Sequence, residues 1–318
     1  MRRPRAGHSL ARAVDVKLVS MSTDKYSLNV FLDPANRRAF TTHDRHWAAN
    51  RYVYPVVSRR SGGISIGVNL NADKICNFDC IYCCVDRRTV GGPSAVDLNI
   101  LRTELTAMLE TVHCGKLYAL EPFSDISPEL RRLNDIAFSG DGEPTTCPQF
   151  FPACQLAAEL LQTRQLADVK IVIITNATML HRPAVREALA FLDAHNGEIW
   201  AKLDAGTQAY YQRVDRSSIP LQRVLDNITA SARQRPVVIQ TLLMRVHGEL
   251  PPESEIQAYI QRLADIRAAG GAIKLIQLYT VARHTTEPYA TALTPAELKR
   301  VGDQITMALP KISVRLFP

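Results

Sequence analysis

The chain predicts an α/β fold in which strands and helices alternate around one parallel sheet, with a barrel-like rim. Three observations carry this. From residue 64 onward, β-branched runs alternate with segments whose apolar residues recur at helical spacing. Prolines and glycines punctuate the helical segments at the ends where each is tolerated. Polar residues gather just where the predicted strands run out, as they do on the site-bearing face of βα barrels.

Taken in order, the strands are expected over 65–69, 135–139, 170–175, 199–204, 237–244 and 273–280. Helical spacing is expected over 98–111, 150–161, 184–192, 221–232 and 253–268. Pro183 stands near the start of the third helix and Gly270-Gly271 follow the fifth. Six alternations in one direction imply parallel strands joined by right-handed crossovers. Thr294-Pro295-Ala296-Glu297 reads as a capped start of a last helix, and 311–317 as a closing strand. Gly62-Gly63 marks the expected seam in a three-part organisation: a basic extension over 1–60, the barrel over 61–290, and a C-terminal helix and strand over 291–318.

Charge is unevenly spread along the 318 residues. Of the net +7, residues 1–60 contribute a surplus of eight, with twelve Lys/Arg against four Asp/Glu. Such an arm, interleaved with Tyr26, Phe31, Phe40, Trp47, Tyr52 and Tyr54, suits RNA phosphates and bases, or is simply a solvated leader and cap. The longest strongly apolar run, 171–174, is far too short to cross a bilayer. The first twenty residues lack the apolar stretch of a secretory leader, so a cytoplasmic, reducing setting is expected. There, clustered thiols point to metal binding or catalysis rather than disulfides.

Four of the seven cysteines lie within nine residues, in NADKICNFDCIYCCVD (71–86), directly after the first expected barrel strand. Cys76, Cys80 and Cys83 are spaced four and three apart. A four-iron cubane takes one outer ligand per iron, normally four thiolates. With no fourth cysteine at a ferredoxin-like distance, three ligands would leave one iron open to a chelating molecule. A zinc site would prefer two separated CxxC or CxxH pairs, which Cys114, Cys147 and Cys154 do not supply. Inert buried thiols are the bland alternative. Cys84, Cys114, Cys147 and Cys154 are read as packing residues.

The run from Cys76 to Cys83, with Tyr82 before the last cysteine, resembles the CxxxCxΦC hallmark of the radical S-adenosylmethionine superfamily over roughly residues 61–290. A narrower likeness, carried by residues 55–83 and FSGDGEPT (138–145), is to iron–sulfur oxidoreductases related to wyosine-type tRNA synthases. The resemblance implies a partial (β/α)6 barrel and a [4Fe-4S] cluster held by Cys76, Cys80 and Cys83. It further implies reductive cleavage of S-adenosyl-L-methionine to a 5′-deoxyadenosyl radical that abstracts a substrate hydrogen atom. A flavodoxin- or ferredoxin-like electron donor is the implied partner, and a tRNA base the first substrate expectation. Activation of a peptide or small metabolite, or a non-catalytic iron–sulfur or RNA-binding role, are the alternatives.

The cofactor contacts expected on this basis are Tyr82, Gly140, Asp141, Gly142, Glu143, Asn176, Lys202, Asp204 and Arg213. Gly140–Glu143 correspond to the family's GGEP loop, which receives the methionine amino group, with Asp141 standing where that loop has its first glycine. Lys202 and Asp204 share one face of the fourth strand with Trp200, a costly arrangement inside a barrel unless the charges pair with each other or a ligand. Asn176 follows the third strand and offers an amide. Arg213 and Arg216 are placed to clamp an anion. Gln277, Tyr279, His247, Arg283 and His284 are further candidates. No residue is singled out as the catalytic group, and no serine triad or GxxxxGK[ST] loop competes.

Overall fold

The computed structural model describes residues 33–42 and 47–318. The expectations for Tyr26, Phe31 and most of the basic arm fall outside these residues. In chain order the elements are α1 (Pro34–Thr41), β1 (Val53–Ser58), β2 (Gly63–Val68), α2 (Leu98–His113), β3 (Leu133–Phe138), α3 (Phe150–Thr163), β4 (Lys170–Thr175), α4 (Pro183–Asp193) and β5 (Gly197–Lys202). Then follow α5 (Gln208–Val214), α6 (Leu221–Gln234), β6 (Val237–Leu242), β7 (Met244–Val246), α7 (Glu253–Ala268), β8 (Ile273–Tyr279), β9 (Ala290–Ala292), α8 (Pro295–Ala308) and β10 (Ser313–Phe317).

Eight strands form one curled sheet in the order β1-β2-β3-β4-β5-β6-β8-β10. All neighbours are parallel except β1 and β2. The partial barrel expected from the sequence is present, with helices between successive parallel strands. Two segments outside its expected limits join the sheet. β1 pairs with β2 over six positions, so where a seam was expected Gly62 ends a hairpin turn and Gly63 opens β2. β10 lies beside β8. Pro55, which cannot donate to a ladder, sits on the β1 edge. The strand expected over 237–244 breaks at Leu243, and its end becomes β7, which pairs with β9.

Local chemistry explains the boundaries. At α8 the Thr294 hydroxyl accepts from the Glu297 amide at 3.3 Å and the Glu297 carboxylate accepts from the Thr294 amide at 2.9 Å, a reciprocal capping box. Pro183 occupies the first turn of α4. Gly270, at φ +84°, takes the left-handed turn after α7 that a side chain would resist.

The strand period of two sorts the barrel interior into layers. At the amino ends lie Asp135, Lys170 and Glu198. Glu198 accepts from Lys170 at 3.2 Å, from Lys274 at 2.5 Å and from the Trp200 indole at 2.8 Å. Two residues further along, Ala137, Val172, Trp200 and Val238 form a separate apolar plug, with Ile174 and Leu275 against it. Two residues beyond that come Ser139, Lys202 and Gln240, in the wall of a cavity. The helices cover the outer face with the main core. Tyr52 is buried in the body and Trp47 meets Phe123 edge-to-face at 5.7 Å, while Phe40 and Tyr54, also buried, reach the cavity wall.

Asp135 is buried and accepts from the Ser65 hydroxyl; burial, opposed by that bond, pushes its pKa up to about 6. Between pH 4 and 6 the folded chain therefore holds a proton that the unfolded chain has released. Stability conferred at low pH is lost as pH rises through 6. The Asp135→Asn variant should lack this slope, so its unfolding free energy should gain up to about 3 kcal/mol on wild type between pH 4 and 7. Urea titrations at successive pH values measure the difference.

Candidate functional site

At the carboxyl ends of β2, β3, β4, β5, β6 and β8 the sheet encloses a cavity of about 290 Å³. Its wall brings together Cys76, Cys80, Tyr82, Cys83, Gly140, Asp141, Gly142, Glu143, Asn176 and Lys202 from the sequence-expected set. Asp204 and Arg213 are not part of that wall.

The cysteine loop is fastened on several sides. Its amides at Asp79 and Ile81 donate to the carbonyls of Asp215 and Val214, at 3.1 and 2.9 Å. The Cys83 carbonyl accepts from the Thr286 amide at 2.8 Å. Asn77 reaches across to β4's end, accepting from Asn176 Nδ2 at 2.7 Å and donating to the Thr178 hydroxyl at 2.7 Å. Asn176 thus serves as a clamp between loops. Phe78 and Ile81, both buried, anchor the loop in the core.

The loop after β3 is held by close packing. A Cβ on Gly140 would come within 2.3 Å of Asn69 Oδ1, and one on Gly142 within 2.2 Å of the Ile75 carbonyl. Asp141 is buried against Asn69, accepting from Nδ2 at 2.7 Å while its amide donates to Oδ1 at 3.1 Å. Its side chain fastens the loop to the end of β2, which accounts for the departure from a glycine here. Glu143 accepts from the Thr145 and Thr175 hydroxyls at 2.5 and 2.6 Å and from the Asn176 amide at 2.6 Å. Burial raises its pKa, and these donors oppose the rise.

Beneath the thiols lies a buried ionic network. Lys202 Nζ stands 3.1 Å from Asp204, donates to the Tyr279 hydroxyl at 2.9 Å and lies 4.7 Å over the Tyr82 ring. Asp204 also accepts from the Tyr82 hydroxyl, and from the Leu242 amide at 2.7 Å. Burial, the largest single influence, works against the ammonium, but Asp204, Tyr279 and Cys80 together overcome it and raise the Lys202 pKa. Asp204 therefore positions Tyr82 and Lys202 instead of facing the cavity. Asp215 is buried beside it, 3.0 Å from the Tyr82 hydroxyl and 3.5 Å from Cys80 Sγ. Burial, then the Asp204 carboxylate, raise the Asp215 pKa.

Arg213 lies on α5 with Glu249 4.0 Å away, and Arg216 pairs with Glu287 at 2.7 Å and donates to Tyr289. Helical spacing turns Tyr210, Tyr211 and Val214 inward and Arg213 outward, and Arg216, beyond the helix, is exposed as well. Gln277 is buried behind the wall, accepting from Gln240, and His247 stacks on Tyr289. Tyr279 and Arg283 do line the cavity. Sequence reasoning missed Arg87, which donates to the Asp141 carbonyl at 3.2 Å and approaches Cys83 Sγ at 3.6 Å. Its place four residues after Cys83 was the available signal.

Three features fit an iron–sulfur cluster and a polar organic ligand here. The three cysteines line one cavity, and two receive N–H groups: Cys76 from the Phe78 amide at 3.5 Å, Cys83 from Arg87. Burial raises the Cys76 pKa, and the Phe78 amide opposes that rise. Gln240 Oε1 is buried in the same wall with no hydrogen-bond partner. Among the described residues no three His, Cys, Asp or Glu side chains converge as ligands of a single metal ion. Thiolates serving three corners of a cubane need not.

The fold agrees with that of radical S-adenosylmethionine enzymes. The chain superposes on Streptococcus suis SuiB bound to S-adenosylmethionine with a TM-score of 0.55 and 13% identity, covering 80% of this chain and 51% of that one. For TYW1 with a lysine–pyruvate adduct bound the TM-score is 0.50 at 15% identity, covering 78% and 74%. No family model matches the sequence. Among curated proteins, a UPF0026 protein of Helicobacter pylori is 28% identical over 201 residues, 60% of this chain and 55% of its own length. A UPF0026 protein of Methanocaldococcus jannaschii is 26% identical over 184 residues, covering 55% and 48%. A GTPase Obg of Brachyspira hyodysenteriae is 23% identical over 256 residues, 79% of this chain but 32% of that protein. The chain thus spans about a third to a half of the length of these relatives.

Lys202→Met should leave Asp204 buried without its cation and lower stability by about 3–5 kcal/mol. Adding Asp204→Asn should recover much of that loss. A double-mutant cycle by urea denaturation checks the coupling.

Proposed function

We propose that this chain is a radical S-adenosylmethionine enzyme. The observation that carries the reading is that Cys76, Cys80 and Cys83 line one cavity together with the 140–143 loop. These three thiolates would hold a [4Fe-4S] cluster with one iron left for S-adenosyl-L-methionine. Together the two cofactors supply a carbon-centred 5′-deoxyadenosyl radical for hydrogen abstraction, chemistry that no protein side chain provides. The chain's own residues exclude water, fix the loop and orient the ligand. Glu143 is the acceptor nearest in kind to an amino group, Gln240 Oε1 has acceptor capacity to spare, and Lys202 offers a cation to a carboxylate. A reductant of the flavodoxin or ferredoxin type would supply the electron.

A tRNA base is the substrate class proposed. The basic arm of residues 1–60 and the fold shared with TYW1, a wyosine synthase, support it. The arm supplies sequence-independent attraction to phosphates, which weakens steeply with salt.

Anaerobically reconstituted wild type should show cluster absorbance and, with dithionite and S-adenosylmethionine, release 5′-deoxyadenosine. Alanine at Cys76, Cys80 or Cys83 should abolish both, more than 100-fold for the product, whereas Cys84→Ala should retain them. Wild type without a cluster would refute the proposal. Because β1 belongs to the sheet, the arm is tested by removing residues 1–32 alone. That truncation should weaken tRNA binding about tenfold at low salt and flatten the dependence of log Kd on log salt.

A further inference from the structure

The turn that leaves the cysteine loop brings a cation back onto one of the thiols. Val85, 4% exposed, anchors the turn after Cys84. Asp86 accepts from the Arg88 amide and from Arg88 Nε, both at 3.0 Å, which keeps its carboxylate with Arg88. Lys74 donates to the Asp86 carbonyl at 3.1 Å and to the Thr89 hydroxyl at 2.5 Å, tying the turn to the start of the loop. Between these fastenings Arg87 turns inward, in the cavity wall that also carries Cys83.

The three guanidinium nitrogens of Arg87 have different surroundings. Nη1 donates to the Lys74 carbonyl, and to the Asp141 carbonyl at 3.2 Å, so it joins the cysteine loop to the 140–143 loop. Nη2 stands 3.6 Å from Cys83 Sγ. Nε is buried and has no hydrogen-bond partner among the described residues. Fastening the two loops engages Nη1 alone, and a buried N–H left unpaired is costly unless a further acceptor completes the site. The two carbonyls fix the group without neutralising it, and no Asp or Glu side chain pairs with Arg87 among the described residues. The other thiols are met differently: Cys76 by a main-chain amide, and Cys80 by the Asp215 carboxyl at 3.5 Å. Arg87 is half-buried, so its charge is screened less than one in open solvent. One-electron reduction of a cluster on these thiolates adds negative charge, and the hydrogen bonds and charges beside the sulfurs set the potential at which it occurs.

We infer that Arg87 is a positioning residue that raises the reduction potential of the cluster by holding a guanidinium against the Cys83 thiolate. It thereby eases entry of the single electron on which cleavage of S-adenosylmethionine depends. The reductant loses one electron and the cluster gains it; Arg87 keeps its protons, and no bond to it forms or breaks. This deepens the proposed function, on which it rests for the presence of the cluster.

Redox titration tests it without turnover. Reconstituted wild type, Arg87→Gln and Arg87→Lys, all without S-adenosylmethionine, are poised at controlled potentials and the reduced fraction is read by electron paramagnetic resonance. At the potential that half-reduces wild type, the ratio of reduced to oxidised cluster in Arg87→Gln should be lower by about tenfold or more, about 59 mV for one electron. Arg87→Lys keeps a positive charge and should stay within about threefold of wild type. An unchanged ratio in Arg87→Gln, or an equal fall in Arg87→Lys, would overturn the inference and leave Arg87 as a loop fastener. Wild type grown on arginine labelled with 15N in the guanidinium covers the case in which Arg87→Gln holds no cluster. Its reduced cluster should show nitrogen coupling in pulsed spectra that Arg87→Lys lacks, and absence of that coupling from wild type would equally overturn the inference. Wild type that takes up no cluster sinks the proposed function as well, whereas wild type that releases 5′-deoxyadenosine but fails these measurements sinks the role of Arg87 alone.

Discussion

An ion pair inside the barrel holds much of the site in place. The Asp204 side chain is 1% exposed and that of Lys202 16%. A carboxylate so deprived of water must be met by donors, and it is met from three directions: the Lys202 ammonium from β5, the Leu242 amide at the end of β6, and the Tyr82 hydroxyl from the cysteine loop. The aromatic residue preceding Cys83 is therefore fixed by electrostatics within the sheet as well as by packing around the loop. Asp215 extends the same arrangement to Cys80. A loop that is to present three sulfurs to one object needs such external fastening, because it contains no helix or strand of its own.

Much of this was legible in the sequence where a single periodicity governs. The helices and central strands fall within a few residues of their expected limits, and the bounds of β4 and α7 coincide with the expectation. The capping box at Thr294 was readable because its signal is local. β1 was obscured by its flanks: Arg51, Arg59 and Arg60 assign it to a basic arm by charge counting, while 53–58, apolar except for Ser58, pairs with β2. The α5 segment misled differently. Its arginines look like ligands in a linear reading, yet the buried functional neighbour is Asp215, which lies between them. An edge strand and a buried acid both depend on partners distant in the chain, and local pattern cannot supply those.

The candidate site shows a similar division. Residue types at fixed spacing led to the thiols, to the 140–143 loop and to Lys202. Roles within the site changed once distances were known. Asp141, Asn176 and Asp204 hold other residues in position, each through hydrogen bonds to side chains about 70 or more residues away or to neighbouring strands. Arg87 entered because a guanidinium reaches back over the loop that carries Cys83. The polar rim was thus readable as a set, and its internal division of labour was a matter of tertiary structure.

The sheet ends at β1 on one side and β10 on the other, and no backbone ladder joins them. Across that gap Arg59 donates to the Pro318 carbonyl and Arg60 lies over the Tyr279 ring. Separating the two margins would break no strand pairing, only contacts made by side chains.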